Sequence, residues 1–327
     1  FNWTFGDTFL VFDETDYGSH YDYYRGPSPF SESEAVAIRD LALEHDFVFS
    51  IVWHSSRSGR LSEKVFTSWN WEGNKPSPDL DLMKGIADSF SDLMEKEDGT
   101  GSYLSVLSGS RNGKLHDWFY RETGCIQYLV ECGTSNLQPD SLLIESTISR
   151  TKPAMVYLLD RSIGYYTDAG QVTGIVYDAS TYTPISGAEV EIEEHSGSVL
   201  KPRLTNEFGR YRRILDAGTY HLNVTRKGYI PIRQSITANN SGITNVDFFL
   251  EPAPMHLVRV DLDFGINGNL PYEVHCLVIS EFDTDTLLIN DSYIDLSLSE
   301  GSYQLIISPT VGTVSYTHLT LPTTEAV

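Results

Sequence analysis

Two ionisable residues, His54 and Glu131, each stand at the end of an apolar segment of this sequence. His54 closes "FVFSIVWH", and Glu131 closes "CIQYLVE" just before a cysteine and a glycine. Apolar runs of this length predict buried strands, and open α/β sheets place their sites at strand ends. A carboxylate there can act as a general base. The structural alternatives are a hydrogen-bonded core histidine at His54 and an ion pair of Glu131 with an arginine such as Arg121.

Helices and strands alternate through the first half of the chain, to about residue 163, which predicts an α/β domain with an interior sheet. In "SPFSESEAVAIRDLALEHD", Ser31 and Glu34 have the spacing of a capping box. The helix that follows should bury Ala35, Ile38 and Ala42.

Three further helices are expected in this half. The segment "PDLDLMKGIADSFSDLMEKEDG" carries an amphipathic apolar stripe. The segment "HDWFYRETG" predicts a short helix closed by Gly124. The last helix should cover about residues 152–162, with Pro153 in its first turn.

The composition changes after "GYYTDAG", where short strands separated by turn residues predict only β structure. We therefore divide the chain into an α/β segment at 1–165, a β-sandwich at 171–252 and a second, shortened β module at 255–313. The segment "VSYTHLTLPTT" resembles the translation of a sequencing adapter, so residues 314–327 are interpreted as foreign; the alternative is a genuine β-strand.

Charge, apolar segment length and cysteine count limit the partners and cross-links that this protein can have. The net charge of -22 argues against a nucleic-acid ligand. No segment has the apolar length of a membrane span. Three cysteines make no disulfide framework, and Cys125 and Cys132 would point to opposite faces of one strand. The oligomeric state stays open.

The order of several motifs in residues 1–163 resembles the zinc metallocarboxypeptidase family, of the carboxypeptidase A and B type. The stretches that carry the resemblance are "FNWTFG", "GPSPFSESEAVAIRDL", "FVFSIVWHSS", "GKLHDWFYRETGCIQYLVECG" and "KPAMVYLLDRSIG". In this family the third of these stretches is a strand that ends in the second zinc-ligand histidine, which falls on His54. The fourth contains the catalytic glutamate, which falls on Glu131.

The resemblance implies a Zn²⁺ cofactor, with Glu131 as the base that takes a proton from a zinc-bound water. Zinc catalytic sites use about three protein ligands. The family's other two come from a His-x-x-Glu motif, and no such pair occurs in this sequence. The chain is therefore interpreted as an N-terminally truncated piece that is inactive by itself, while its parent is a carboxypeptidase acting on peptide or protein C-termini.

Substrate-binding residues follow the family pattern less closely. The family's tyrosine about eight residues before the Asp-Trp pair is missing, and Tyr103 is a candidate to replace it from an altered loop. Arg111 is a candidate for binding an anionic substrate group, or else a solvated loop cation. His116 falls where the family places its specificity-pocket side chain.

Residues 171–251 resemble the transthyretin-like, carboxypeptidase regulatory-like domain, which carries no titratable cluster here and is interpreted as structural or adhesive. The pair of domains implies an extracellular, periplasmic or cell-surface enzyme. The rival interpretation is a non-catalytic extracellular binding protein, in which the α/β segment is a pseudoenzyme and the β modules bind the partner.

Overall fold

The computed structural model describes most of the chain. The described ranges are 28–55, 62–68, 70–71, 75–107, 115–134, 140–165, 170–197, 200–239, 242–261, 274–280, 284–289, 293–299, 301–309 and 315–321. The predicted order is confirmed at the level of fold class: an α/β segment is followed by β modules.

The α/β segment contains four described helices and one four-stranded sheet. The helices are α1 (Ser33–Glu44), α2 (Leu80–Asp92), α3 (Leu115–Thr123) and α4 (Ser141–Ser162). The strands are β1 (Phe49–Ser55), β2 (Lys64–Thr67), β5 (Leu104–Leu107) and β6 (Ile126–Cys132), while β3 (Asn70–Trp71) and β4 (Lys75–Pro76) form a separate short pair.

The sheet has the order β1-β6-β2-β5, with β6 parallel to β1 and antiparallel to β2. Strand β6 is buried along most of its length, as its apolar sequence predicts. Strand β1 is only half-buried and ends exposed, because it lies at the edge of the described sheet. The prediction of a fully buried strand there was wrong.

Two helix predictions are corrected. Helix α1 begins two residues after Ser31 and has no side-chain cap, so the capping box does not form. Ala35 and Ala42 are buried, but Ile38 is 41% exposed. Helix α4 begins at Ser141, where the Asp140 carboxylate accepts hydrogen bonds from the backbone N–H groups of Leu142 and Leu143.

The apolar stripe of α2 is confirmed, with Met83, Ala87 and Phe90 all buried. Helix α3 ends where Gly124 adopts a φ of +76°, as expected of a glycine after a helix. These two helices and α4 pack their buried residues with β6 into one hydrophobic core.

The β-sandwich follows with a separate core. One sheet consists of β8 (Glu189–Ile192), β10 (Gly218–Thr225) and β11 (Ile232–Ala238). The other consists of β7 (Gly170–Asp178), β9 (Arg210–Leu215), β12 (Ile243–Asn245) and β13 (Phe248–Leu250). Alternating inward residues of both sheets fill the space between them.

The last strands are β14 (Met255–Asp261), β15 (Val274–Ile279), β16 (Thr284–Ile289), β17 (Tyr293–Ser299), β18 (Gly301–Pro309) and β19 (Ser315–Leu321). They form the pair β14-β17 and the sheet β16-β15-β18-β19. Strand β19 lies within the segment interpreted as foreign, and it pairs with β18 in antiparallel register. The origin of residues 314–327 stays a prediction.

Candidate active site

The parallel strands β1 and β6 place His54 directly opposite Glu131. Side chains opposite each other on paired strands project from the same face of the sheet. Here the His54 Nδ1 and Glu131 Oε1 atoms are 3.6 Å apart. The imidazole is 51% exposed, whereas the carboxylate is only 12% exposed. A solvent-facing imidazole thus stands beside a shielded carboxylate at one end of the sheet.

This geometry argues against both structural alternatives. His54 is too exposed to be a core histidine. Arg121 forms an ion pair with its neighbour Glu122, at 2.8 Å between Nη1 and Oε1, so it has a partner other than Glu131.

Sequence reasoning missed a third residue at this strand end, Lys64. It lies opposite Glu131 on the antiparallel strand β2. Glu131 is therefore flanked by an imidazole on one side and by a lysine position on the other. No local sequence signal identifies Lys64, because only the pairing of β2 with β6 brings it to the site.

Two side chains form hydrogen bonds with the residues that follow Glu131. The Tyr103 hydroxyl accepts a hydrogen bond of 3.1 Å from Gly133 N. The Glu97 carboxylate accepts bonds from both the backbone N–H and the hydroxyl of Thr134, at 3.2 and 3.0 Å. These contacts fix the direction in which the chain leaves β6.

This position changes the interpretation of Tyr103. The residue is buried, at 2% exposure, and burial raises the pKa of its hydroxyl. It supports the strand end from the core and does not face the solvent beside His54. A substrate contact would require Tyr103 to leave this core position and its bond to Gly133.

The other two candidates for substrate binding are His116 and Arg111. His116 is buried on α3, with its Nε2 3.9 Å from Asp117 Oδ1, so it does not line an open pocket in this structure. The neighbouring Asp117 carboxylate accepts a hydrogen bond from the Ser68 hydroxyl. Arg111 lies outside the described residues.

Zinc fits this strand end only in part. Within the part of the chain that the structure describes, no three His, Cys, Asp or Glu side chains are grouped to hold a metal ion. Because catalytic zinc uses about three protein ligands, His54 can supply one of them and the described residues do not complete the site.

Two family models match parts of this chain. Residues 2–154 match the family of zinc carboxypeptidases, and residues 171–251 match the carboxypeptidase regulatory-like domain. The N-terminal segment therefore matches the zinc carboxypeptidase family, and a segment that matches the carboxypeptidase regulatory-like domain follows it in the same chain.

Similar proteins include several named carboxypeptidases. Carboxypeptidase D of Mus musculus is 25% identical over 237 residues, which cover 67% of this chain and 16% of that protein. The carboxypeptidase N catalytic chain of Rattus norvegicus is 24% identical over 198 residues, covering 58% of this chain and 41% of that protein. The chain thus spans well under two thirds of either relative.

Among solved structures, a streptococcal ancillary pilin aligns with a TM-score of 0.32 and 16% identity, over 49% of this chain and 61% of that one. A likeness of this size supports no inference about function. None of the helices within the described ranges is long and apolar enough to cross a bilayer.

Proposed function

We propose that this chain contributes the His54 and Glu131 part of the active site of a zinc-dependent metallocarboxypeptidase, which removes C-terminal residues from peptides or proteins. One observation carries the proposal. Within the segment that matches the zinc carboxypeptidase family, two residues separated by 77 positions stand side by side at one strand end, 3.6 Å apart.

Glu131 is the general base in this proposal. Its carboxylate accepts a proton from a water molecule as that water attacks the scissile carbonyl, a role worth about 10²- to 10⁴-fold in rate. The shielding of the carboxylate favours a fixed position for the base, as do the hydrogen bonds that the backbone N–H groups of Gly133 and Thr134 donate to Tyr103 and Glu97.

His54 is one metal ligand in this proposal. Its exposed imidazole suits a Zn–N contact, and the remaining ligands are assigned to the family's His-x-x-Glu motif, which this sequence does not contain. The β modules act as structural or adhesive units behind the catalytic segment, and the protein works outside the cytoplasm, in the periplasm, outside the cell or at its surface.

The test is hydrolysis of a peptide by the longest natural form of the protein that contains these residues. The substrate is offered with a free C-terminus and, as the control, with an amidated C-terminus. A carboxypeptidase releases single amino acids from the first and spares the second. Chelation should abolish the reaction, and added zinc should restore it.

The second candidate function, a non-catalytic binding protein, is favoured by the incomplete set of metal ligands among the described residues. It predicts that neither peptide is cleaved at any zinc concentration. That result, obtained with folded protein, would replace the enzyme proposal by the binding proposal.

A further inference from the structure

The loop of residues 94–103 joins α2 to β5. Two backbone hydrogen bonds close it: Tyr103 N donates to Met94 O at 2.9 Å, and Lys96 N donates to Gly101 O at 2.8 Å. Backbone groups paired in this way give the loop a defined conformation between the helix and the strand. Its side chains therefore project from fixed positions.

Two of these side chains, Tyr103 and Glu97, contact the backbone that follows Glu131. Tyr103 accepts a hydrogen bond from Gly133 N, and Glu97 accepts two from Thr134. Tyr103 is buried, whereas the side chain of Glu97 is exposed. The strand end that carries Glu131 is thus tied to the loop at two successive residues.

A buried glutamate, Glu63, fixes the other side of the loop. Its Oε1 atom accepts a hydrogen bond of 2.6 Å from Glu97 N. Its backbone oxygen accepts one of 3.1 Å from Leu104 N, where β5 begins. Glu63 also directly precedes Lys64, which pairs with Glu131 across the sheet. Glu63 therefore contacts the loop and adjoins the strand beside Glu131.

Arg150 of α4 joins the helix to both the loop and Glu63. Its guanidinium donates to Glu95 O at 3.0 Å and to the Thr147 hydroxyl at 3.2 Å. Its Nη1 atom lies 3.9 Å from Glu63 Oε1, and both side chains are shielded from solvent. This cation offsets part of the cost of burying the Glu63 carboxylate.

The backbone of Glu63 has a positive φ of +53°. Among the residues that the structure describes, only two other non-glycine residues share this sign, Phe30 and Tyr182. The left-handed region is unfavourable for a residue with a Cβ, whereas glycine adopts it freely. Strain of this kind persists where the surrounding structure fixes the residue, and it is frequent at functional sites. Glycine at position 63 would relieve the strain but would remove the acceptor for Glu97 N.

We infer that Glu63 is a positioning residue of the proposed carboxypeptidase site, acting through the 94–103 loop. Its carboxylate fixes Glu97, and Glu97 fixes Thr134, three residues after Glu131. The inference rests on the proposed function, because a fixed carboxylate at Glu131 matters for rate only if that residue is the base. A displacement of about 1 Å can lower a rate by about 100-fold.

The experiment measures kcat and KM of the longest natural form with a peptide that has a free C-terminus. Glu63→Gly should lower kcat by about 10- to 100-fold with KM nearly unchanged, because substrate binding is retained while the base is displaced. Glu63→Gln keeps an acceptor oxygen for Glu97 N and should retain most of the activity. Equal kcat for Glu63→Gly and the wild type would overturn the inference, and so would equal losses in the two variants.

Tyr182→Gly is the matched control for relief of strain. Tyr182 has a φ of +58° and lies exposed on the sandwich between β7 and β8. This variant should keep the kcat of the wild type. The melting temperature of Glu63→Gly should change little, because relief of the strained φ offsets the lost hydrogen bond.

Glu97 provides a second pair of variants that leaves the buried residues unchanged. Glu97→Ala removes the acceptor for Thr134 and should lower kcat as Glu63→Gly does, whereas Glu97→Gln should retain most of the activity. Hydrogen exchange measures the contact itself. The Thr134 amide should exchange about fivefold faster or more in Glu97→Ala, the effect of losing one hydrogen bond. Unchanged exchange would contradict the inference.

Failure of the proposed function and failure of the positioning role are distinguishable. A wild-type protein without turnover would count against the proposed function and the inference together. Wild-type turnover that is preserved in both Glu63→Gly and Glu97→Ala would overturn the positioning role alone.

Discussion

His54 and Glu131 differ in solvent exposure, and this difference suits them to different roles. The imidazole, at 51% exposure, can reach a ligand in solution, whereas the carboxylate, at 12%, is positioned beside it. An exposed imidazole beside a shielded carboxylate suits a metal ligand next to a general base. Sequence patterns identified both residues, but their contact depends on register across 77 positions and could not be derived locally.

The first prediction concerns His54 as a ligand. His54→Gln should lower the zinc affinity of the longest natural form by about tenfold or more, since a nitrogen ligand is lost. Competition with a chromophoric chelator measures the affinity. His45→Gln, an exposed change at the end of α1, is the control and should leave the affinity unchanged. Equal affinities for all three proteins would remove His54 from the metal site.

The second prediction concerns the hydrogen bond behind the strand end. Tyr103→Phe keeps the ring in the core and leaves the Gly133 N–H without its acceptor. We expect a loss of about 1–3 kcal/mol in the free energy of unfolding, measured by denaturant titration. Tyr182→Phe, which removes an exposed hydroxyl, should change little. An unchanged Tyr103→Phe protein would show that the bond contributes no stability.

At the scale of elements, sequence periodicity performed well where one face of a helix or strand is buried. The stripe of α2 follows this rule, and the continuous apolar run of β6 correctly predicted a strand that is buried on both faces. Strand β1 has an equally apolar sequence but lies at the sheet edge, so its burial depends on neighbours that the segment itself does not specify.

Helix α4 shows why a proline signal misled. Pro153 lies inside the 22-residue helix, although the local rule allows proline only in the first turn. Burial of residues on both sides of it, Thr151, Ala154 and Tyr157, outweighs the lost backbone hydrogen bond. The better signal was Asp140, which caps the true start.

The third prediction tests the junction between α3 and the sandwich. A Cβ at Gly124 would lie 2.4 Å from Arg203 Nε, and the φ of +76° adds strain. Gly124→Ala should therefore cost about 1–3 kcal/mol of stability. Gly85→Ala in α2, where a Cβ meets nothing within 4 Å, should be neutral or stabilising. Equal melting temperatures for the two variants would contradict the packing described for this junction.

At the scale of the whole molecule, the α/β segment and the sandwich are joined by polar contacts. Besides Arg203 on the end of α3, the Asp79 carboxylate of the first unit binds His195 of the second. Burial by itself raises the pKa of Asp79, but hydrogen bonds from His195 and Tyr120 and the charge of Arg213 outweigh it and hold that pKa below its ordinary value.

The fourth prediction follows from this lowered pKa. Ionised Asp79 stabilises the folded protein above the unfolded pKa of about 3.9, and the contribution is lost as pH falls through the lower folded pKa. Asp79→Asn should be less stable than the wild type near neutral pH, and the gap should close in strong acid. Asp88→Asn, at an exposed pair with Lys84, is the control. A gap independent of pH would show that Asp79 acts through packing alone.

The measurement that tests the central claim most directly is hydrolysis of a peptide with a free C-terminus by the Glu131→Gln variant of the longest natural form. Glutamine keeps the shape and removes the base, so turnover should fall by about 10²- to 10⁴-fold, with zinc content and melting temperature unchanged. Glu145→Gln, an exposed change on α4, should retain full activity. Near-normal turnover by the Glu131 variant, with zinc bound, would contradict the account.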